Sequence, residues 1–414
     1  MPTSAGDANE PMLAIPAVGV ALHNWRPSDP RLFSRSELKR QTGAYSSAIP
    51  TRLADWSPTL TSELGADLED ATRALSDFDR HASLVLGTEN TALAPMAAIL
   101  LRTESASSSQ IENLTVSARQ LALAEIGAGT SPNSRTVIGN VRAMEAAVTL
   151  TEPLSVGTIL TMHRELLAHQ QGMEAHAGLL REELVWIGKG NAGPREADFV
   201  APQPELVPPA LDDLLLFADR ADLPALLQIA VAHAQFETIH PFVDGNGRTG
   251  RALVQVMLRA SGIASHTTVP LSAGLLTDLN RYFAALGAFR DGDASPIVRT
   301  FTQAARFGAA AGGDLVDALR AELAASRELL AGVRPQASAL RLLPLLVGQP
   351  IVDSAFVQRA LAVDAVTANR ALALLTDRGV LTERTGRRRG RVWQHSGILG
   401  ALDEFATGIR RARR

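Results

Sequence analysis

The sequence predicts a mainly α-helical protein: a helical bundle that exposes one β-hairpin, followed by a small helix-turn-helix unit with a wing. Three observations lead there. Apolar residues recur at helical spacing, as in Leu60, Leu64, Leu68 and Leu75 and again in Ile159, Met162, Leu166 and Leu167. Residues 178–209 break that rhythm with short β-like runs among glycines and prolines. Residues 335–414 give short helical runs, then two β-like ends around a basic tip.

Taken in order, residues 1–55 read as irregular, with several prolines and few periodic runs. A helix is expected over 59–82 and one or two over 94–127. Ser131 can cap the next, and 154–169 is another. The β-like run Glu183 to Ile187 and the later FVAPQP form an irregular hairpin, with Gly188 and Gly190 allowing a tight turn. LPALLQIAVAHAQFETI (223–239) is a strongly apolar helix, and 248–262 is one stopped by Gly262. Residues 313–333 read as a long amphipathic connector. PQASALRLLPLLVGQP is a first helix of the tail, SAFVQRALAV and DAVTANRALALLTDRGVL have helix-turn-helix cadence, and TERTGRRRGRVWQ has the form of a wing. The expected division is 1–90 as an N-terminal region with a helical lead-in, 91–310 as the main helical domain, 311–334 as connector, and 335–414 as the winged unit.

Composition narrows the function. The chain has 414 residues, 46 % of them apolar, enough for two or three cores. No apolar run approaches the roughly 18 residues of a membrane span, and no basic segment precedes the first apolar stretch as a signal peptide would require. There is no cysteine, so disulfides and thiolate metal sites are excluded and a cytoplasmic location is the expectation. A net charge of −3 argues against indiscriminate nucleic-acid binding. The only lysines are Lys39 and Lys189, and neither sits in a phosphate-binding P-loop. Any phosphate must be met by arginine and backbone N–H groups.

One stretch gathers such groups: HPFVDGNGRTGR, His240 to Arg251. Gly245, Asn246 and Gly247 form a turn that feeds a helix N-terminus, where unpaired N–H groups and the helix dipole favour an anion. Arg248 and Arg251 share a face of the first turn. Two cations there oppose the dipole, a conflict that phosphate relieves. Asp244 is a hard oxygen ligand suited to Mg²⁺. His240, with an ordinary pKa of about 6.5, can take a proton from a hydroxyl. A base, a metal ligand and a polyphosphate cradle specify phosphoryl or nucleotidyl transfer to a hydroxyl.

The same stretch resembles the signature of the Fic family, HPFx[DE]GNGRxxR, at every specified position, and the resemblance extends over roughly residues 60–310. It implies a helical Fic bundle that transfers AMP from ATP, with Mg²⁺, to a hydroxyl of a target protein. By resemblance His240 is the general base and Asp244 holds the metal. Gly245, Asn246 and Gly247 cradle the inner phosphates, and Arg248 and Arg251 hold the outer ones. Pro241 and Phe242 set and anchor the loop. The intact GNGR favours AMP transfer over the phosphate transfer of the related Doc toxins.

Three further segments resemble family features. Ser108, Glu112 and Asn113 match the inhibitory motif [ST]xxxE[GN], placed before the catalytic motif, so Glu112 would reach Arg251 and occupy the place of the γ-phosphate while Ser108 holds the helix. Val185, Trp186 and Ile187 match the flap strand that holds the target segment by strand addition. The tail offers Asn369, Arg370 and Arg378 on a recognition helix and Arg387, Arg388, Arg389 and Arg391 on the wing, a patch suited to DNA phosphates. DNA binding, a homodimer and self-modification stay open, as do AMP removal, transfer of another phosphate-linked group, and a DNA-binding regulator that senses nucleotide.

Overall fold

The computed structural model describes residues 13–27, 30–87, 93–129, 131–149, 153–168, 170–188, 193–384 and 390–413. Strands β1 (Gly19–Trp25) and β2 (Gly43–Ile49) pair antiparallel, Gly19 opposite Ile49 and Trp25 opposite Gly43, with helix α1 (Arg35–Gln41) between them. The sequence reading expects no regular structure here. The ribbon has a neighbour to lean on: Gln203 donates to the Tyr45 hydroxyl at 3.1 Å, and Arg195 donates to the carbonyls of Thr42 and Ala44. A two-stranded ribbon is marginal alone, so this packing decides it.

The bundle follows with α2 (Ser62–Gly87), α3 (Leu93–Ile111), α4 (Ala118–Glu125), α5 (Pro132–Thr149) and α6 (Val156–Leu167). Stretch 94–127 is therefore two helices. Asn113 stops the first with a left-handed φ of 61°, and Leu114 N–H returns to Ser109 O. Ser117 and Ser155 cap the starts of α4 and α6. A second hairpin joins β3 (Trp186–Gly188) to β4 (Ala197–Val200), with Trp186 opposite Val200 and an irregularity after Ile187.

Helices α7 (Val207–Ala218), α8 (Ala225–Ile239), α9 (Asn246–Ala260), α10 (Leu271–Leu275), α11 (Leu279–Arg290) and α12 (Ser295–Leu329) complete the bundle. Every residue of α8 from Leu226 to Ile239 is buried, which explains why it reads as apolar on all sides. Its polar members have work inside: Gln228 caps the carbonyls of Phe217 and Arg220, and Gln235 donates to Thr51 O. The connector expected over 313–333 is the second half of one 35-residue helix, α12. Its first half buries Ile297, Val298 and Phe301, then continues the same face in alanine and glycine, which mark it only faintly in the sequence. Small residues instead let α10 approach so closely that a Cβ on Gly274 would overlap the backbone of Ala304.

The tail holds α13 (Ser338–Leu342), α14 (Leu345–Gly348), β5 (Ile351–Asp353), α15 (Ser354–Leu361), α16 (Ala365–Asp377), β6 (Thr382–Glu383), β7 (Val392–Gln394) and α17 (Ser396–Ala412). The first expected helix is broken in two at Pro344. The three strands form one antiparallel sheet in the order β5-β7-β6. Ile351, Val392 and Leu399 pack with Ala122 of α4, and Gln349 donates to Ala122 O at 2.8 Å. Arg102 of α3 donates to Gly348 O, so the tail is fastened to α3 and α4. No helix among the described residues is long and apolar enough to cross a membrane.

Candidate active site

The site grows from the end of α8. His240 takes the left-handed conformation, φ 50°, and its N–H closes on Phe236 O at 2.9 Å. Such a backbone costs a non-glycine residue about 1–3 kcal/mol and persists only where surroundings enforce it. They do. The Asn246 side chain closes the loop on both backbone groups of Phe242, accepting at 2.9 Å and donating at 2.8 Å. With its side chain committed to Phe242, Asn246 keeps its backbone N–H at the start of α9 for an anion. Phe242 is fully buried and stacks on His163, rings 3.6 Å apart. His163 Nδ1 accepts from Gly178 N–H at 3.1 Å, so Nε2 carries the proton and donates to Asp244 O at 3.0 Å. Burial pushes the His163 pKa down to about 4 and keeps that tautomer neutral.

Gly245 begins α9 at φ 79° without a side-chain cap, and the first turn holds no acidic residue. The orphan N–H groups therefore face an anion site. Arg248 and Arg251 are 3 % and 2 % exposed, two buried guanidinium groups at a helix N-terminus. Arg248 donates to Gln170 at 3.2 Å and lies 3.4 Å from Asp244, while its Nε is buried without a partner. Asp244 in turn accepts from Gln170 at 2.6 Å and from Gly245 N–H at 2.7 Å.

Arg251 turns to α3 instead of its helix neighbour. It donates to Ser108 Oγ at 2.8 Å, to Ser108 O at 2.9 Å and to Glu112 Oε1 at 2.8 Å. Burial works against its charge, and the Glu112 carboxylate reverses the balance, so the guanidinium is held above its ordinary value. Glu112 lies across the face of Gly247, where a Cβ would collide with it. The acidic side chain that directly follows α3 thus sits in the glycine turn itself. Two turns back along α3, Glu104 is 1 % exposed and accepts from Ser272 N–H at 2.9 Å and Ser272 Oγ at 2.6 Å. Burial pushes its carboxyl up to about 7.

Burial likewise lowers His240, to about 4, so the imidazole is neutral at ordinary pH. Beneath it, His233 meets the Tyr282 hydroxyl at 2.7 Å and burial raises Glu237 to about 7. In the hairpin Trp186 and Ile187 lie on β3, and Val185 stands just before it, its carbonyl accepting from Ala201 N–H at 3.1 Å. Trp186 meets Trp25 edge-on at 5.5 Å, while Ile187 is 41 % exposed. Gly190 and the wing arginines Arg387, Arg388 and Arg389 lie outside the described residues. Asn369 and Arg370 are exposed on α16, whereas Arg378 donates to Leu329 O at 3.3 Å and Arg391 pairs with Glu383 at 3.2 Å.

The fold thus joins Ser108 and Glu112 to Arg251 across a long sequence separation, while Asp244 meets Arg248 four residues along. Sequence reasoning missed Glu104, His163, Gln170, Arg181 and Tyr282. Each is a polar residue in an ordinary helical or loop context, and only burial or, for Gln170, its bonds to Asp244 and Arg248 single it out.

Comparison with known proteins defines the class. The Fic/DOC family matches residues 153–258 and the Fic/DOC family N-terminal module matches residues 66–149. Residues 66–258 are therefore similar to a Fic domain with its N-terminal companion. It is 32 % identical over 149 residues to the protein adenylyltransferase fic-1 of Caenorhabditis briggsae, covering 35 % of this chain and 26 % of that one. It is 30 % identical over 152 residues to the protein adenylyltransferase Fic of Nematostella vectensis, covering 36 % and 32 %. The matches span only about a quarter to a third of these relatives. In fold it resembles the crystal structure of a Fic family protein from Desulfovibrio desulfuricans G20, with TM-score 0.50 and 21 % identity over 81 % of this chain and 97 % of the other.

Proposed function

We propose that this chain is a protein adenylyltransferase that moves AMP from ATP to a hydroxyl of a target protein and is restrained by its own Glu112. The observation that carries the reading is the Glu112 carboxylate lying over Gly247 and bonded to Arg251, an anion in the phosphate cradle. Where that carboxylate sits, a terminal phosphate would find the same guanidinium. Charge-assisted bonds of this kind are worth about 1.5–3 kcal/mol, enough to reduce productive nucleotide binding roughly tenfold to a hundredfold.

The neutral imidazole of His240 accepts the proton of the target hydroxyl as its oxygen attacks the α-phosphorus. The bond to the bridging oxygen breaks and pyrophosphate leaves with both bonding electrons. The proton then passes from His240 to solvent. The α9 N–H groups, Arg248 and Arg251 orient the nucleotide and receive the negative charge. Among the described residues no group of three acidic or histidine side chains is arranged to hold a metal, so Asp244 is not part of a protein cage of ligands. That suits Mg²⁺, which takes one or two carboxylates and draws its other oxygens from phosphate and water. When bound there, the ion supplies neutralising charge to the phosphates. The strand β3 with Ile187 exposed offers main-chain pairing for an extended target segment.

Intact mass after incubation with ATP and Mg²⁺ tests the reading. A gain of one AMP is expected on wild type, larger in Glu112→Gly and absent in His240→Ala. Equal labelling of His240→Ala would remove the base, and a Glu112→Gly variant with weakened nucleotide affinity would remove the brake.

A further inference from the structure

Arg181 stands just before β3, 3 % exposed, and its donors go to main-chain carbonyls. Nε donates to His240 O at 2.8 Å. Nη1 donates to Glu183 O at 2.9 Å, on the leg that leads into β3. Nη2 donates to Pro202 O at 2.6 Å, on the leg that leaves β4, and lies 3.5 Å from Ile239 O. Its own N–H donates to Pro241 O at 3.0 Å. One planar group therefore ties three backbone segments together: both legs of the hairpin and the turn that carries the imidazole.

The placement has a physical logic. Ile239 and His240 end α8, and their carbonyls have no partner within the helix. A cation at that end meets those carbonyls and the negative pole of the dipole. Burying a guanidinium is costly, and burial lowers its pKa to about 10, partly offset by Glu205. The bond to the carbonyl of His240 fixes the residue whose φ of 50° needs an external hold.

We propose that Arg181 is a positioning residue that sets the register of the β3–β4 hairpin against His240, so that an acceptor hydroxyl held along β3 meets the imidazole. The proposal rests on the adenylyltransferase reading for its consequence but on the three bonded segments for its existence. It requires the fork of a guanidinium. A lysine keeps the charge but offers its donors from a single nitrogen and cannot span the same carbonyls.

The test uses the full chain carrying Glu112→Gly, with and without Arg181→Lys. Misalignment of about 1 Å costs on the order of a hundredfold in rate, so AMP incorporated into the chain from α-labelled ATP should fall roughly 10–100-fold. ATP affinity should stay within about threefold, because the cradle from Gly245 to Arg251 is untouched. Hydrogen exchange on the same variant reads the tie without chemistry: residues 183–188 and 193–202 of the hairpin and 239–243 of the turn should lose protection together while the rest of the bundle keeps it. Unchanged incorporation overturns the proposal. So does a parallel loss of affinity and incorporation, or parental protection in either segment. If the parent incorporates no AMP while the two segments still open together, self-modification fails and the tie stands.

Discussion

At the scale of single residues, His240 combines three properties set by different neighbours. Its φ is left-handed, its carbonyl is held by Arg181, and burial lowers its pKa to about 4. A base with that pKa is unprotonated down to mildly acid pH and loses activity only as pH falls through about 4. Initial rates of AMP transfer should therefore show no His240 limb between pH 8 and 5.5. A limb near 6.5 would mean that the ring is solvated in the working enzyme. His240→Ala should cost on the order of 10²–10⁴-fold in rate with ATP affinity retained, as for loss of a general base. The residues of this loop were legible because they are contiguous and because glycine, arginine and histidine have few reasons to share one turn. His163, which stacks on Phe242 and holds Asp244 O, was not legible: in the sequence it is one more residue on an amphipathic helix.

At the scale of elements, α3 is the helix whose position matters most. It is fixed at Glu104 by Ser272, at Ser105 and Ser109 by Asn140, and at Ser108 and, one residue past its end, at Glu112 by Arg251. Glu104→Ala would strand the N–H and hydroxyl of Ser272, at a cost of about 1–3 kcal/mol. Loosened from α10, α3 should release Glu112 more readily, so ATP affinity should rise as the melting temperature falls. Glu104→Gln keeps an acceptor and should show both effects only weakly. Calorimetric melting and nucleotide titration on the two variants check this, and unaltered affinity in Glu104→Ala would mean that Arg251 alone fixes the brake. The sequence announces α3 and its motif, but not Glu104, since nothing in the spacing of helix 94–111 says that α10 will cover it.

At the scale of the molecule, buried ionisable groups pull stability in opposite directions with pH. Burial lowers His163, His240 and His395 to about 4 and His233 to about 3. Between those values and 6.5 the unfolded chain binds more protons at these sites, so stability rises with pH and is lost as pH falls toward 4. Burial raises Glu104 and Glu237 to about 7, so the native state binds more protons there between 4.5 and 7 and stability falls as pH rises. Four histidines outweigh two glutamates below 6.5, and only the glutamates act above it. Thermal unfolding across pH 4.5–8 should peak near pH 6.5. A melting temperature that fell steadily from pH 4.5 upward would mean that the histidines are solvated.

The sequence by itself determined the helical character, the glycine turn with its two arginines, and the carboxylate motif upstream. These depend on short-range spacing, which periodicity and contiguity carry. Only the tertiary structure decided that residues 19–49 form a ribbon against the second hairpin, that 295–329 is one helix, and that Arg251 faces α3 while Arg248 faces Asp244. It also decided that Arg181 spends its charge on carbonyls far along the chain. Those outcomes rest on burial and, the local Arg248–Asp244 pair aside, on partners tens to more than a hundred residues away, where the free energy of a polar group is set by what covers it.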